Sequence, residues 1–377
     1  MKLSRKAVAA LGAAGLGWAA LAGCAANEAP ADGATGGAET GGTAADAAPQ
    51  LSGELNGAGA SSQSAAQEAW KAGFVGLEPG VTVNYDPMGS GQGREQFAAG
   101  GLGFAGTDAP FSPEEASGSL GSCADGSGLV EVPVYISPIV VAFNLEGVDA
   151  LNLAPGVIAD IFTGKIANWN DPAIAADNPG VTLPDVKISP VHRSDKSGTT
   201  GNFTDYLTAA APGAWTAGET EEWPLDGGEG AEKTQGMVEA LTAGAGAVGY
   251  VDAGQAQALS WASIKVGAEW VKASAEGAAK AVAESTLETG RSEADVVYEL
   301  NRTTEAAGAY PLILVSYLAG CEKYSDATTG ELVAAYFKYV TSEEGQAAAA
   351  SNAGSAPITS EEGLSQKVGA AVARIGS

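Results

Sequence analysis

The chain has 377 residues and a formal net charge of −26, with a single histidine and three cysteines. So acidic a balance excludes a nucleic-acid binder, which needs a basic face. One histidine, with no metal-ligand spacing among the cysteines, leaves a zinc site or a His-based triad without its parts.

The first residues, MKLSRK, carry cations, and an Ala/Leu/Gly run follows from Ala7 to about Ala20. LAGC then closes at Cys24. This pattern predicts a secretory signal over 1–23 with a lipoprotein cleavage box, Cys24 becoming the lipidated N-terminus. The apolar run is short and Ala/Gly-rich for a spanning helix. Residues 24–50 hold Ala, Gly, Thr, Glu, Asp and Pro with no bulky apolar side chain, as a disordered tether would. The expected product is an exported protein, lipid-anchored to the outer face of the cell membrane.

The body begins near Leu51, and its size suggests two domains. ELNGAG reads as a strand, and SQSAAQEAWKAGF as a helix with Ala66, Trp70 and Phe74 on one face. VTVNYDP is a strand, REQFAAG a helix, and GFAGTDAP a strand ending in a turn. Ser112, Pro113 and Glu115 form a capping-box signature. VPVYISPIVVAFN is an unbroken run suited to a buried strand. LAPGVIADIFTG is a helix, VKISPVHR a strand, and GNFTDYLTAA continues a helix begun one loop earlier. MVEALTA and GAVGYV are a helix and a strand, and YPLILVSYLAG is again a buried strand. ELVAAYFKYV and GLSQKVGAAVARI close the chain as amphipathic helices. Alternating strands and helices predict an α/β fold with mainly parallel sheets.

Three Ser/Gly loops fall where strand patterns become helix patterns: GAGASS at Gly57–Ser62, MGSGQG at Met88–Gly93 and RSDKSGTTG at Arg193–Gly201. Helix N-termini carry free N–H groups and partial positive charge, and in open α/β sheets such loops gather at the ligand-binding edge. Together they suggest one small oxyanion held by several loops. Ser61, the Ser62 amide, Ser90, Ser197, Gly198 and Thr199 supply hydroxyls and amides, and Arg193 supplies a planar fork. Asp195 is placed to hold that guanidinium from behind. Asp108 is the oddity, because a carboxylate helps an anion only if the anion still carries a proton. Hydrogen phosphate does and sulfate does not, so Asp108 points to selectivity for phosphate. The acidic net charge does not oppose this, since salt screens surface charge beyond about 8–10 Å. Each residue also has a plainer reading: Ser61 and Ser62 as helix caps, Asp108 as a turn residue, Arg193 and Asp195 as a surface ion pair, His192 as packing. Cys123 and Cys321 remain after Cys24, and export favours a disulfide between them over two buried thiols.

LNGAGAS, NYDPMGSG, FAGTDAP, IFTGKIANWND, VHRSDKSGTTGNFTDYL and GAVGYV, in this order, resemble the phosphate-binding component (PstS) of the bacterial high-affinity phosphate ABC transporter. The resemblance implies a two-lobed periplasmic-binding-protein fold of type II, with helices on both faces of its sheets and a ligand cleft between lobes. Lobe I would comprise 51–134 plus 312–377 and lobe II 135–311, leaving Cys123 and Cys321 in one lobe. It implies phosphate contacts from Ser61, Ser62, Ser90, Asp108, Arg193, Ser197, Gly198 and Thr199, with Asp195 behind Arg193. It further implies a monomer that breaks no bond, needs no cofactor or metal, and passes phosphate to membrane permease subunits driven by a cytoplasmic ATPase. Two loops depart from the family pattern: Ser61-Ser62-Gln63 replaces the frequent Thr-Phe-Pro, and GSGQG the frequent GSSGG. The competing readings are a receptor for sulfate or another oxyanion, an exported phosphatase using Ser197 beside Lys196, and a structural surface lipoprotein.

Overall fold

Strand β1 (Ser52–Gly59) gives way to a 3-10 turn at Ser61–Gln63 and helix α1 (Ser64–Leu77), in a computed structural model that describes residues 50–358 and 363–376. The signal, Cys24 and the tether up to residue 49 lie outside the described residues. Strand β2 (Gly80–Asp86) leads to α2 (Ser90–Ala98), and β3 (Phe104–Thr107) ends at Asp108 before α3 (Pro113–Ser117). The long strand β4 (Leu129–Asn144) precedes the short β5 (Asn152–Leu153), α4 (Pro155–Phe162) and α5 (Pro172–Asp177). Then come β6 (Ser189–Arg193), α6 (Gly198–Ala210), β7 (Glu229–Ala231), α7 (Lys233–Ala243) and β8 (Ala247–Asp252). Short strands β9 (Ser260–Trp261), β10 (Ser263–Val266) and β11 (Glu269–Val271) precede α8 (Ala275–Ala283) and the pair β12 (Thr286–Leu287) and β13 (Tyr298–Glu299). The chain ends in β14 (Ile313–Cys321), α9 (Ala327–Val340), α10 (Glu343–Ala353) and α11 (Leu364–Val372).

Among the described residues the main sheet runs β2-β1-β3-β14-β4-β8-β6-β7, with β9 added on β4. Its two wings are parallel: β1 pairs with β2 and β3, and β6 with β8 and β7. The centre is antiparallel, where β14 lies between β3 and β4 and β4 meets β8. β4 serves both wings. Its first half, Leu129 to Pro138, pairs with β14, and its second, Ile139 to Asn144, with β8. Proline has no N–H to give a ladder, so it belongs at irregularities. Pro138 stands at the change of partner. Pro133 stands where the β14 register slips, Ser316 facing Tyr135 and Tyr317 facing Pro133.

Each wing buries its own aromatic cluster. Phe74 and Phe104 pack on Tyr336 at 5.3 and 5.4 Å between ring centroids, and Phe203 lies 5.0 Å from Phe162 and 4.2 Å from Tyr250. Cys123 and Cys321 form a disulfide that ties the loop before β4 to the end of β14. The Ser112 capping box is formed, its hydroxyl taking the Glu115 amide while the Glu115 carboxylate takes the Ser112 amide. This two-lobed α/β architecture sets the C-terminal ends of β1, β2, β3 and β6 around one region. No described helix is long and apolar enough to cross a membrane.

Candidate functional site

Glycine permits the close approaches that assemble the site. Gly59 has φ +142°, and a Cβ there would lie 1.9 Å from the Gly106 carbonyl oxygen, so β1 and β3 can bring the Ser61 loop beside Asp108 only without a side chain. At Gly198 a Cβ would sit 2.7 Å from Asp108 Cβ, the Ala109 nitrogen and Ser90 Oγ. The start of α6 is thereby pressed onto both the Asp108 turn and the start of α2. The GSGQG segment is itself helical: α2 begins at Ser90, one turn earlier than a helix opening at Arg94.

Asp108 is 3% exposed and is the hub. Ser62 Oγ donates to its carboxylate at 2.7 Å, Ser316 Oγ at 2.5 Å and Thr199 Oγ1 at 3.1 Å. Its own amide donates to Ser90 Oγ at 3.0 Å, and Asn202 Nδ2 donates to its carbonyl at 2.8 Å. Burial pushes the Asp108 carboxyl above the usual aspartate range, while the Ser316, Ser62 and Thr199 hydroxyls and the Arg193 charge pull it back. The carboxylate is therefore kept by neutral donors and one nearby guanidinium.

Arg193 and Asp195 form a buried two-point pair, with Nε donating to Oδ1 at 2.7 Å and Nη2 to Oδ2. The surface ion-pair reading is thus excluded by their burial. Burial acts to raise the Asp195 carboxyl, but the Arg193 hydrogen bonds and the Lys233 amide hold it below the usual range. The Lys233 amide reaches Asp195 Oδ1 at 3.0 Å, and the next amide, Thr234, reaches Ser61 Oγ at 3.1 Å. Lys233 adopts φ +63°, the left-handed region that costs a non-glycine residue about 1–2 kcal/mol. That backbone twist aims two successive N–H groups at the Arg193 and Ser61 loops. Gly89 closes the circle, since a Cβ there would lie 2.7 Å from Asp195 Oδ2.

The structure therefore brings Ser62, Ser90, Asp108, Gly198 and Thr199 into direct contact and joins Ser61 to the Arg193–Asp195 pair through α7. Ser197 acts here as the N-cap of α6, its hydroxyl accepting the Thr200 amide at 3.3 Å. Sequence reasoning missed Ser316, Thr234, Asn202 and Gln255. Gln255 Nε2 donates to the Ser61 and Ser62 carbonyls at 2.8 and 3.0 Å. Of these, Ser316 had a signal: a lone serine inside the otherwise bulky and apolar run of YPLILVSYLAG. His192 stacks on Trp223 at 4.8 Å and bonds through Nδ1 to the Arg193 carbonyl, a packing role.

Residues 38–344 match the model of the PBP superfamily domain. The phosphate-binding protein PstS2 of Mycobacterium bovis is 36% identical over 292 residues, 76% of this chain and 78% of the relative. The chain belongs to the PstS family. Family members outside mycobacteria are similar too: PstS of Xylella fastidiosa is 32% identical over 295 residues, 76% of this chain and 77% of its own. Solved structures agree on the PstS fold. A high-affinity periplasmic phosphate-binding protein, PfluDING, superposes with TM-score 0.66 at 23% identity, over 81% of this chain and 90% of its own. A phosphate-binding protein from Stenotrophomonas maltophilia gives TM-score 0.64 at 20% identity, over 84% and 93%. The relatives named here are phosphate-binding proteins, not enzymes.

Proposed function

We propose that this protein captures inorganic phosphate as hydrogen phosphate, encloses it between two lobes, and delivers it to an ABC permease. The observation that carries the reading is the Asp108 carboxylate, buried at the meeting of three helix starts and set against a guanidinium fixed by Asp195. Amides and hydroxyls of Ser61, Ser62, Ser90, Ser197, Gly198 and Thr199 take the ionic oxygens, Arg193 takes two in its fork, and Asp108 accepts the remaining proton. A fully deprotonated tetrahedral anion would face Asp108 with nothing to donate, which is the basis of selectivity. The Ser62 and Thr199 hydroxyls, which here donate to Asp108, turn to the anion on binding.

In this reading the chain divides into lobes at 51–134 plus 312–377 and 135–311, with β4 running from one into the other and β14 opening just after the chain returns. It acts as a monomer, carries lipid at Cys24 and works from the outer face of the membrane. Relatives of the PstS type, named as phosphate-binding proteins, support the ligand class. Calorimetric titration of the purified protein with phosphate, and with sulfate as control, tests it. Tight phosphate binding with sulfate at least a hundredfold weaker is expected, whereas equal affinities would remove the proton-acceptor role from Asp108.

A further inference from the structure

Arg94 lies one turn beyond Ser90 on α2, and its side chain is only 4% exposed. Most of its partners belong to its own stretch of chain. Nη1 donates to Thr107 Oγ1 at 3.1 Å and to the Ala109 carbonyl at 3.0 Å, the two residues flanking Asp108. Nε donates to Glu115 Oε1 at 3.3 Å. The exception is Glu221, distant in sequence and connected to α6: Nη2 reaches Oε2 at 2.5 Å and Nη1 reaches Oε1 at 3.1 Å. The Glu221 carbonyl in turn accepts the Ser197 amide at 2.9 Å, and its side chain packs on Gly201. One two-point ion pair therefore ties the Asp108 turn to the Ser197 turn.

We infer that the Arg94–Glu221 pair is a closure latch, a positioning device that sets how long the captured oxyanion is held without touching it. The inference rests on the phosphate reading for its ligand but not for its mechanics. A fork-to-fork pair fixes both distance and angle, and partial exclusion from water strengthens its Coulomb attraction over that of a surface pair. The nearby Lys196–Glu95 contact, at 3.3 Å with Glu95 largely exposed, is the weak surface kind by comparison. Arg94 is not itself free for the ion, because its donors already face a hydroxyl, a carbonyl and two carboxylates. Of the Arg94 side-chain hydrogen bonds only those to Glu221 cross between the wings, so the pair favours the closed form with or without phosphate.

The test is Glu221→Gln, which keeps size and hydrogen-bonding capacity but removes the charge, with Glu221→Asp as the conservative variant. Stopped-flow release of phosphate should quicken about tenfold or more in Glu221→Gln, the association rate should stay within about twofold, and Glu221→Asp should recover part of the loss. The phosphate-to-sulfate ratio should not move, unlike in a variant of Asp108. In phosphate-free buffer, small-angle scattering should give Glu221→Gln a larger radius of gyration than the parent. Unchanged release and unchanged radius overturn the latch. If the parent binds no phosphate, the functional reading fails, and the scattering comparison alone then decides the latch.

Discussion

Ser316 Oγ donates to Asp108 Oδ1 at 2.5 Å, while Gln63 Nε2 donates to the same hydroxyl at 2.7 Å. With Gln63 donating to its oxygen, the Ser316 hydroxyl is left to donate, and the carboxylate lies much nearer than the Thr107 carbonyl at 3.3 Å. The position is made by the register slip between Ser316 and Tyr317, which bends the ladder and re-aims the side chain. Ser316→Ala removes one of the donors that lower the Asp108 pKa, so the carboxyl rises further and the acid limb of phosphate binding moves to higher pH. A hydrogen bond to a charged group is worth about 1.5–3 kcal/mol, so affinity should fall roughly tenfold or more. Calorimetry across a pH series checks both effects, and an unmoved acid limb would deny Ser316 this role.

Asp108→Asn keeps the shape and still accepts from Ser62, but loses the charge that a ligand proton answers. Phosphate affinity should drop and the margin over sulfate should narrow by about tenfold or more, because repulsion of the deprotonated anion is relieved. Parallel phosphate and sulfate titrations read this directly. A preserved ratio would place selectivity elsewhere.

Arg193→Lys replaces a planar fork by a point charge. The ammonium cannot reproduce the two parallel bonds to Asp195, and the cation is no longer fixed. Phosphate binding should weaken by about 2–3 kcal/mol, on the order of a hundredfold, at unchanged net charge. Competition against a fluorescent phosphate reporter measures the loss.

Asp252 is fully buried where β8 ends, and its pKa is pushed up to about 7. Burial is the main cause, reinforced by the Asp108 charge and opposed by the Ser137 and Tyr135 hydroxyls and the Gly254 amide. A carboxyl raised in the folded state binds a proton that the unfolded chain releases near pH 4. Its contribution is thus complete below about pH 4 and is lost as pH rises through about 7. The full swing is on the order of 4 kcal/mol. Denaturant unfolding across this window should show the parent losing stability with rising pH relative to Asp252→Asn, which carries no titrating group there. A difference independent of pH would assign Asp252 an ordinary carboxyl.

Replacing both Cys123 and Cys321 with serine reopens a loop spanning 198 residues. Loss of a native disulfide typically costs about 2–5 kcal/mol. The bridge joins segments remote from Asp108, so phosphate affinity should stay within about twofold while the thermal midpoint falls. Scanning calorimetry with and without phosphate separates the two quantities.

Local signals were the legible ones. Glycine and serine at strand-to-helix junctions announced the Ser61, Ser90 and Ser197 loops, and the Ser112 capping box could be read from its own residues. Asp108 stood out because its charge sat wrongly for an anion site. Long-range pairings were not legible. The antiparallel centre depends on β14 entering between β3 and β4, and no periodicity in YPLILVSYLAG names those neighbours. Thr234 and the twisted Lys233 matter through backbone amides, which every residue has, so no side-chain pattern marks them. Arg94 read as an ordinary helix residue because its partner at Glu221 comes from the far side of the fold.

The shared strand β4 has a practical corollary for anyone wishing to build a sensor from this protein. A fragment stopped before Leu129 would carry one wing without its central neighbour, and the remainder would leave β14 with a bare edge inviting pairing between molecules. Splitting the chain into complementary halves is therefore the wrong route. Reporter groups belong on surface connections that leave the through-going strand whole.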